Sequence, residues 1–132
     1  VPAVVSEFIS LRSTEEKSVF EKDLEYPLAL GQLTKQMIHW QRSKTPIPGF
    51  RVHPIDPETL AKDTSPLAII PQTLFVGRPF SGLIYQVKNQ SSDTVTLTEA
   101  QFYSYASRSA SLDRYTLSPG DSTHLYIITG GL

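Results

Sequence analysis

Hydrophobic and polar residues alternate, one by one, along much of the second half of the chain. Leu83, Tyr85 and Val87 fall on one face of a first run, and the stretches 94–98 and 123–129 alternate in the same way. Period-two alternation between turn-forming residues is typical of half-buried antiparallel strands. The pattern therefore predicts strands whose apolar faces line a shared core.

The predicted strands are short, closely spaced and separated by polar turns. They are expected at 68–70, 73–76, 82–88, 94–99, 102–106 and 123–129, with a short edge strand at 50–52. The residues predicted to line the core are Leu83, Tyr85, Val87, Val95, Leu97, Leu125 and Ile127. About six strands or more in so short a stretch are typical of a small antiparallel β-sandwich or barrel. We therefore predict a mainly β fold, with its β domain at 68–132.

An apolar stripe with helical spacing precedes the β region. Leu30, Leu33, Met37 and Trp40 recur at steps of three and four residues. This spacing places them on one side of an α-helix, with polar residues on the other. We predict an amphipathic helix within 24–45.

Prolines separate this helix from the strands. Pro46 and Pro48 make a stiff, extended break, and four further prolines up to Pro71 exclude a central strand from the stretch that follows. We predict a proline-rich extended connection at 46–67. For residues 1–23 we expect a linker or a weakly ordered segment.

The apolar stripe of the predicted helix needs something to cover it. Either the helix folds back on the sheet, or a partner chain covers it by binding the helix in a groove. Because the proline break is rigid, we predict that the helix docks away from the β domain, against a neighbouring subunit. Leu33, Met37 and Trp40 are then candidate partner contacts.

Composition excludes several classes of function. The chain of 132 residues carries a net charge of −1 with no basic stripe, so direct nucleic-acid binding is not expected. It contains no cysteine, which excludes disulfides, thiolate nucleophiles and cysteine-based zinc sites. No apolar run approaches the roughly 20 residues that span a bilayer. The sequence starts at Val1, and we expect a processed form or a fragment of a longer protein.

Residues with catalytic or metal-binding chemistry do not form a convincing site. His53, Asp56 and Glu58 are the nearest approach to a metal cluster, but they lie among prolines in a predicted loop, without the rigid support that metal ligands need. Ser81 and His124 have no partner that would complete a nucleophile and base pair. We predict no catalytic, metal or cofactor-binding residue, and no enzymatic activity.

Tyrosines concentrate in the second half of the β region. Alternation in the predicted strand at 102–106 places Tyr103 and Tyr105 on one face. Tyrosine is enriched at protein interfaces, and it also fits the half-buried surface of a sheet. Both interpretations stay open, and the pair are candidate partner contacts.

The order of these features resembles the C-terminal part of the TraK family of conjugative type IV secretion proteins, over roughly residues 24 to 130. The resemblance is carried by strand-and-turn patterns rather than by catalytic signatures. It rests on Leu28-Ala29-Leu30-Gly31, on Pro48-Gly49-Phe50, on the run from Gly82 to Ser91, on Val95 to Glu99, and on Leu117-Ser118-Pro119-Gly120 before a strand.

The resemblance implies a periplasmic protein associated with the bacterial outer membrane. It implies a structural subunit of the outer-membrane core complex, assembled as a large ring with a lipoprotein and an inner-membrane-anchored channel protein. The alternative is a ligand-binding or adhesin-type β-sandwich whose surface tyrosines stack on sugars. The oligomeric state separates the two, because a module of the second kind binds its ligand as a monomer.

Overall fold

The computed structural model of the chain describes residues 26–78, 80–105 and 107–130. The predicted linker at 1–23 lies outside the described residues. Within these residues, the α-helix α1 (Tyr26–Ser43) precedes the strands β1 (Arg51–Pro54), β2 (Leu67–Val76), β3 (Phe80–Asn89), β4 (Val95–Thr96), β5 (Ser107–Leu112), β6 (Thr116–Leu117) and β7 (Ser122–Gly130). Two short 3-10 helices lie at Pro57–Thr59 and Glu99–Tyr105.

Five of the strands form one antiparallel sheet in the order β1-β2-β3-β7-β5, and β4 pairs with β6 in a small second sheet. The chain is therefore mainly β, with its helix before the strands, as the sequence predicts. The centre of the large sheet is the β3–β7 pair, whose register joins Phe80 to Gly130 and Lys88 to Ser122. Long, continuous pairing makes these two strands the frame on which the other elements pack.

The helix α1 packs on one face of the large sheet. Leu33 and Met37 are both 0% exposed and belong to a core cluster with Phe75, Ile84 and Tyr126. The prediction that the helix docks away from the β domain is therefore wrong. The stiff segment after the helix only redirects the chain, and the apolar stripe is buried against the strands instead of waiting for a partner.

Strand β3 leaves space for the helix where its side chain is smallest. A Cβ added at Gly82 would lie 2.8 Å from Met37 Sδ and 2.9 Å from its Cε, closer than real carbon atoms pack. The thioether of Met37 occupies the volume that any larger residue at position 82 would need. The helix axis can consequently approach the sheet closely at this point.

The opposite face of the sheet holds a second core cluster, covered by β4, β6 and the longer 3-10 helix. The seven residues predicted to line the core all lie in or against this cluster, so that prediction is confirmed. Val87, Leu125 and Ile127 are completely buried. The sheet is therefore covered on both faces, one by α1 and the other by irregular and short elements.

Two predicted strands take a different form. The stretch predicted as a strand at 102–106 belongs largely to the 3-10 helix Glu99–Tyr105, and β5 begins only at Ser107. Phe102 buries its ring in the second cluster from this helix, so an aromatic-rich segment packs without joining the sheet. The stretches 68–70 and 73–76 are one strand, because a register shift between Pro71 and Thr73 accommodates the proline.

Truncation of the second core cluster should destabilise the protein. Val87→Ala or Leu125→Ala removes buried methyl groups from a fully enclosed site, and we expect a loss of about 1–4 kcal/mol in the free energy of unfolding. Chemical denaturation of the purified chain measures this loss. The matched control is Lys88→Ala, because Lys88 follows Val87 in the same strand and its side chain is exposed. This variant should change stability by less than about 0.5 kcal/mol. Unchanged midpoints for both core variants would contradict the assignment.

The contact between Met37 and Gly82 gives a direct test of helix docking. Gly82→Ala should cost about 1–3 kcal/mol, because its new methyl group collides with the thioether. Combining it with Met37→Ala should cost less than the sum of the single changes, with a coupling of about 1 kcal/mol. The new methyl group at position 82 then occupies the space that the shortened side chain at position 37 leaves.

The control for this pair is Gly31→Ala, on the same helix. A Cβ at Gly31 meets nothing within 4 Å, and alanine should stabilise the helix by about 1 kcal/mol. Strict additivity of Gly82→Ala and Met37→Ala in denaturation would show that α1 is not docked at this point.

Candidate partner-binding surface

The end of α1 forms a compact group around the single tryptophan. The Trp40 ring meets Phe75 edge-on, with centroids 5.1 Å apart, so one edge of the indole is anchored to the sheet. Lys44 adopts a φ of 60° and its N–H donates to Trp40 O at 2.7 Å, which ends the helix in the left-handed conformation. This turn brings Lys44 Nζ to 4.1 Å from the centroid of the Trp40 ring. The half-buried indole is thus framed by a cation at the surface.

The predicted contact residues of the helix divide into two groups. Leu33 and Met37 are completely buried within the chain, and their side chains have no surface to offer a partner in this conformation. Trp40 is half-buried and keeps an accessible part. Its contact with another chain stays a prediction.

A groove runs between the solvent-facing side of α1 and the segment at 45–47. Its volume is about 440 Å³, and the helix contributes Gln32, Lys35, Gln36 and His39 to its walls. Gln36 Oε1 is buried there with no hydrogen-bond partner among the described residues. A buried acceptor without a partner costs about 1–3 kcal/mol, so this side chain is a locally unfavourable feature of the helix surface.

A second exposed feature lies around the longer 3-10 helix. Tyr115 is 41% exposed, and its hydroxyl donates to Glu99 Oε2 at 2.7 Å. This hydrogen bond, together with partial burial, raises the pKa of Tyr115, while burial and then the charge of Glu99 raise the pKa of Tyr103. Tyr103 is half-buried against the second core cluster. The strand alternation assumed for Tyr105 does not apply, because its backbone is 3-10 helical.

The residues singled out for chemistry do not assemble into a reactive site. The Asp56 carboxylate accepts from Glu58 N at 2.9 Å and caps the short 3-10 helix, and His53 pairs with Leu74 at the sheet edge. No metal-binding group of acidic, histidine or cysteine residues occurs within the described part of the chain. Ser81 is buried in the central sheet, and its Oγ has no hydrogen-bond partner among the described residues.

His124 takes part in a small polar cluster at the margin of the sheet face that α1 covers. Its Nδ1 lies 3.4 Å from Asp113 Oδ2, and the Tyr126 hydroxyl donates to the same oxygen at 2.9 Å. Burial, and next the hydrogen bond to Asp113, raise the pKa of Tyr126 far above its usual range. With its ring in the first core cluster, Tyr126 ties the buried face to a surface carboxylate.

One exposed apolar residue on α1 was not among the predicted contact residues. Leu28 is 60% exposed, although it lies beside completely buried Ala29. The signal was present, because Leu28 stands outside the helical stripe that Leu33 and Met37 continue. Leu28 therefore lies on the solvent-facing side of the docked helix.

The fold defines a class of protein: a small antiparallel β domain backed by one helix, whose described residues contain no metal-binding cluster. The TraK C-terminal domain family matches residues 19–129, and the chain belongs to this family. The resemblance noted in the sequence is therefore confirmed. No curated protein matches the chain.

Membership of this family suggests a conjugative transfer protein. The family is a structural conjugation family rather than an enzyme family. A component of conjugative secretion is consistent with a periplasmic location. Among the residues that the structure describes, none of the helices combines the length and apolar character needed to cross a bilayer.

The buried hydroxyl of Tyr126 predicts a loss of stability at alkaline pH. Because the pKa of Tyr126 is raised in the folded chain, the hydroxyl is neutral in both states below pH about 10, and its contribution is fully present there. Above that pH the unfolded chain ionises first, so stability falls as the pH rises. Urea denaturation between pH 8 and 11 should show a steeper decline in wild type than in Tyr126→Phe.

The difference in slope between these two proteins should approach 1.4 kcal/mol per pH unit at most, the limit for one titrating group. Tyr115→Phe is the matched control, since it removes an exposed hydroxyl and should flatten the decline less. Equal slopes for wild type and Tyr126→Phe would refute the buried hydroxyl as the source.

Proposed function

We propose that the chain is a structural subunit of a bacterial conjugative type IV secretion system, within the outer-membrane core complex. It would assemble a large ring there with a lipoprotein and an inner-membrane-anchored channel protein, in the periplasm beside the outer membrane. The family match over residues 19–129 carries this proposal. The remaining support comes from how the domain is built.

The domain is suited to a structural role because both faces of its central sheet are covered by its own chain. The helix covers one face and the second core cluster fills the other, so partner binding does not have to complete the core. A domain that keeps its shape before and after assembly loses little conformational entropy on binding. Rigid subunits of this kind can define a ring geometry.

Contact surfaces are distributed over the outside of the domain. One lies along α1, where exposed Leu28, the groove with the unpartnered Gln36 carbonyl and the accessible part of Trp40 follow one another along the helix. Another lies around Tyr103 and Tyr115. Tryptophan and tyrosine are enriched among the residues that anchor protein interfaces.

The first test concerns the contact surface of the helix. Leu28→Glu should preserve the fold, because the side chain is exposed and an acid in the first turn suits the helix dipole. If Leu28 anchors a partner, the variant should lower recovery of the core complex from cells and lower transfer by about tenfold, as loss of an interface anchor of about 1.4 kcal/mol does.

Thr64→Glu, at an exposed position outside these surfaces, is the matched control for charge and should leave assembly and transfer unchanged. Normal recovery of a ring complex with Leu28→Glu would show that this part of the helix does not belong to the interface.

The second test concerns the residues that an enzyme would need. The variants His53→Ala and Ser81→Ala should support normal transfer. Loss of transfer by either, in a complex that still assembles and with unchanged stability, would contradict a purely structural role.

A further inference from the structure

An arginine-lined depression lies at one end of the large sheet. Gly49, Arg51, Val76, Gly77 and Arg78 surround it, and its volume is about 560 Å³. Both arginines are exposed. Within the described part of the chain, no acidic side chain lies within salt-bridge distance of either guanidinium.

The floor of the depression is backbone held in place by packing. Gly49 has a φ of 85°, which favours glycine, and a Cβ at Gly77 would collide with the ring of Phe50. Phe50 in turn packs against the first core cluster. The two arginines therefore stand beside an open, rigid floor, an arrangement that suits the carboxylates of an extended chain because guanidinium groups bind carboxylates through paired hydrogen bonds.

The depression lies at the C-terminal end of α1. Trp40 contacts Phe75, the residue directly before Val76, and Gly49 follows the helix by six residues. The 18 residues of α1 span about 27 Å at 1.5 Å per residue. Whatever precedes the helix is attached at its far end.

Charge is distributed unevenly between this body and the segment before the helix. Residues 1–25 contain six acidic and three basic residues, a net charge of −3, so the rest of the chain carries +2 within the total of −1. Three of these acids, Glu21, Asp23 and Glu25, directly precede α1. The body and this segment are therefore complementary in charge.

We propose that the depression of Arg51 and Arg78 binds the acidic residues 21–25 of a neighbouring copy of the chain. Residues 21–25 of the same chain are attached at the far end of α1, about 27 Å along the helix from its C-terminal end. We therefore assign the contact to a neighbouring copy, and mixing of charge-reversed variants tells the two cases apart. A contact between two different surfaces of identical chains is heterologous, and its repetition gives a ring when the rotation between neighbours closes. The inference rests on the ring assembly proposed above and names one contact within it.

The test measures self-association of the full chain by sedimentation velocity at low ionic strength. Arg51→Glu with Arg78→Glu should weaken self-association by roughly tenfold, and so should Glu21→Lys with Asp23→Lys and Glu25→Lys, because each set replaces attraction by repulsion. Lys62→Glu with Lys88→Glu has the same charge change as the arginine pair on exposed positions, and it should associate like wild type.

Mixing the two charge-reversed proteins is the decisive step. The acidic segment of one then meets intact arginines on the other, and the reversed segment meets reversed arginines, so the mixture should regain wild-type association. Contacts within one chain cannot be restored by mixing. Circular dichroism confirms that each variant is folded.

A mixture that stays as weakly associated as its components overturns the inference, and so does a wild-type chain that stays monomeric at tens of micromolar. These outcomes are distinct from failure of the proposed function. If the charge variants associate like wild type while the chain is still recovered in a ring complex from cells, only this contact is wrong. If the chain is never recovered in such a complex, the proposed function is wrong.

Discussion

The close approach of Met37 to Gly82 is the contact on which the remaining structure depends. It lets α1 lie directly on the central strands, so that the buried side chains of the helix complete the first core cluster. With any larger residue at position 82, the helix would lie farther from the sheet and leave Phe75 and Ile84 partly exposed. The surfaces at both ends of the helix, around Leu28 and around Trp40, take their positions from this one point of contact.

Burial on both faces explains which parts of the fold the sequence could predict. Alternation identified Leu83, Tyr85 and Val87 because their face is apolar at every second position. The other face was treated as open, although Ile84 lies on it and is completely buried. Consecutive apolar residues at 125–128 carried the missing signal, since a strand covered on both faces reads as a continuous apolar run. Alternation alone identifies the apolar face of a strand and gives no information about what covers its other face.

Long-range features were beyond the reach of local pattern. The same stripe of Leu33, Met37 and Trp40 fits a helix that binds a partner and a helix that binds its own sheet, because the pattern reports burial without naming the covering surface. The fully buried Asn89 is a second example. Its side chain donates to Asp93 O at 2.8 Å and to Leu117 O at 3.0 Å, closing the turn after β3 and fixing the small second sheet. A polar residue in a turn-forming stretch gave no sign of that role.

Closure of both faces also constrains how such a domain can assemble. Among the described residues, the largest apolar surfaces are buried within the chain. In the proposed assembly, the binding energy that these residues supply would come from small exposed features: one leucine, the accessible part of one tryptophan, a pair of tyrosines and a pair of arginines. Each such contact is weak alone, because exposed charge pairs contribute about 1 kcal/mol or less. A ring repeats every contact and holds each subunit on two sides, so that weak junctions combine into a stable assembly. A domain with a self-sufficient core and modest exposed contacts is therefore better suited to a closed ring than to an isolated tight complex.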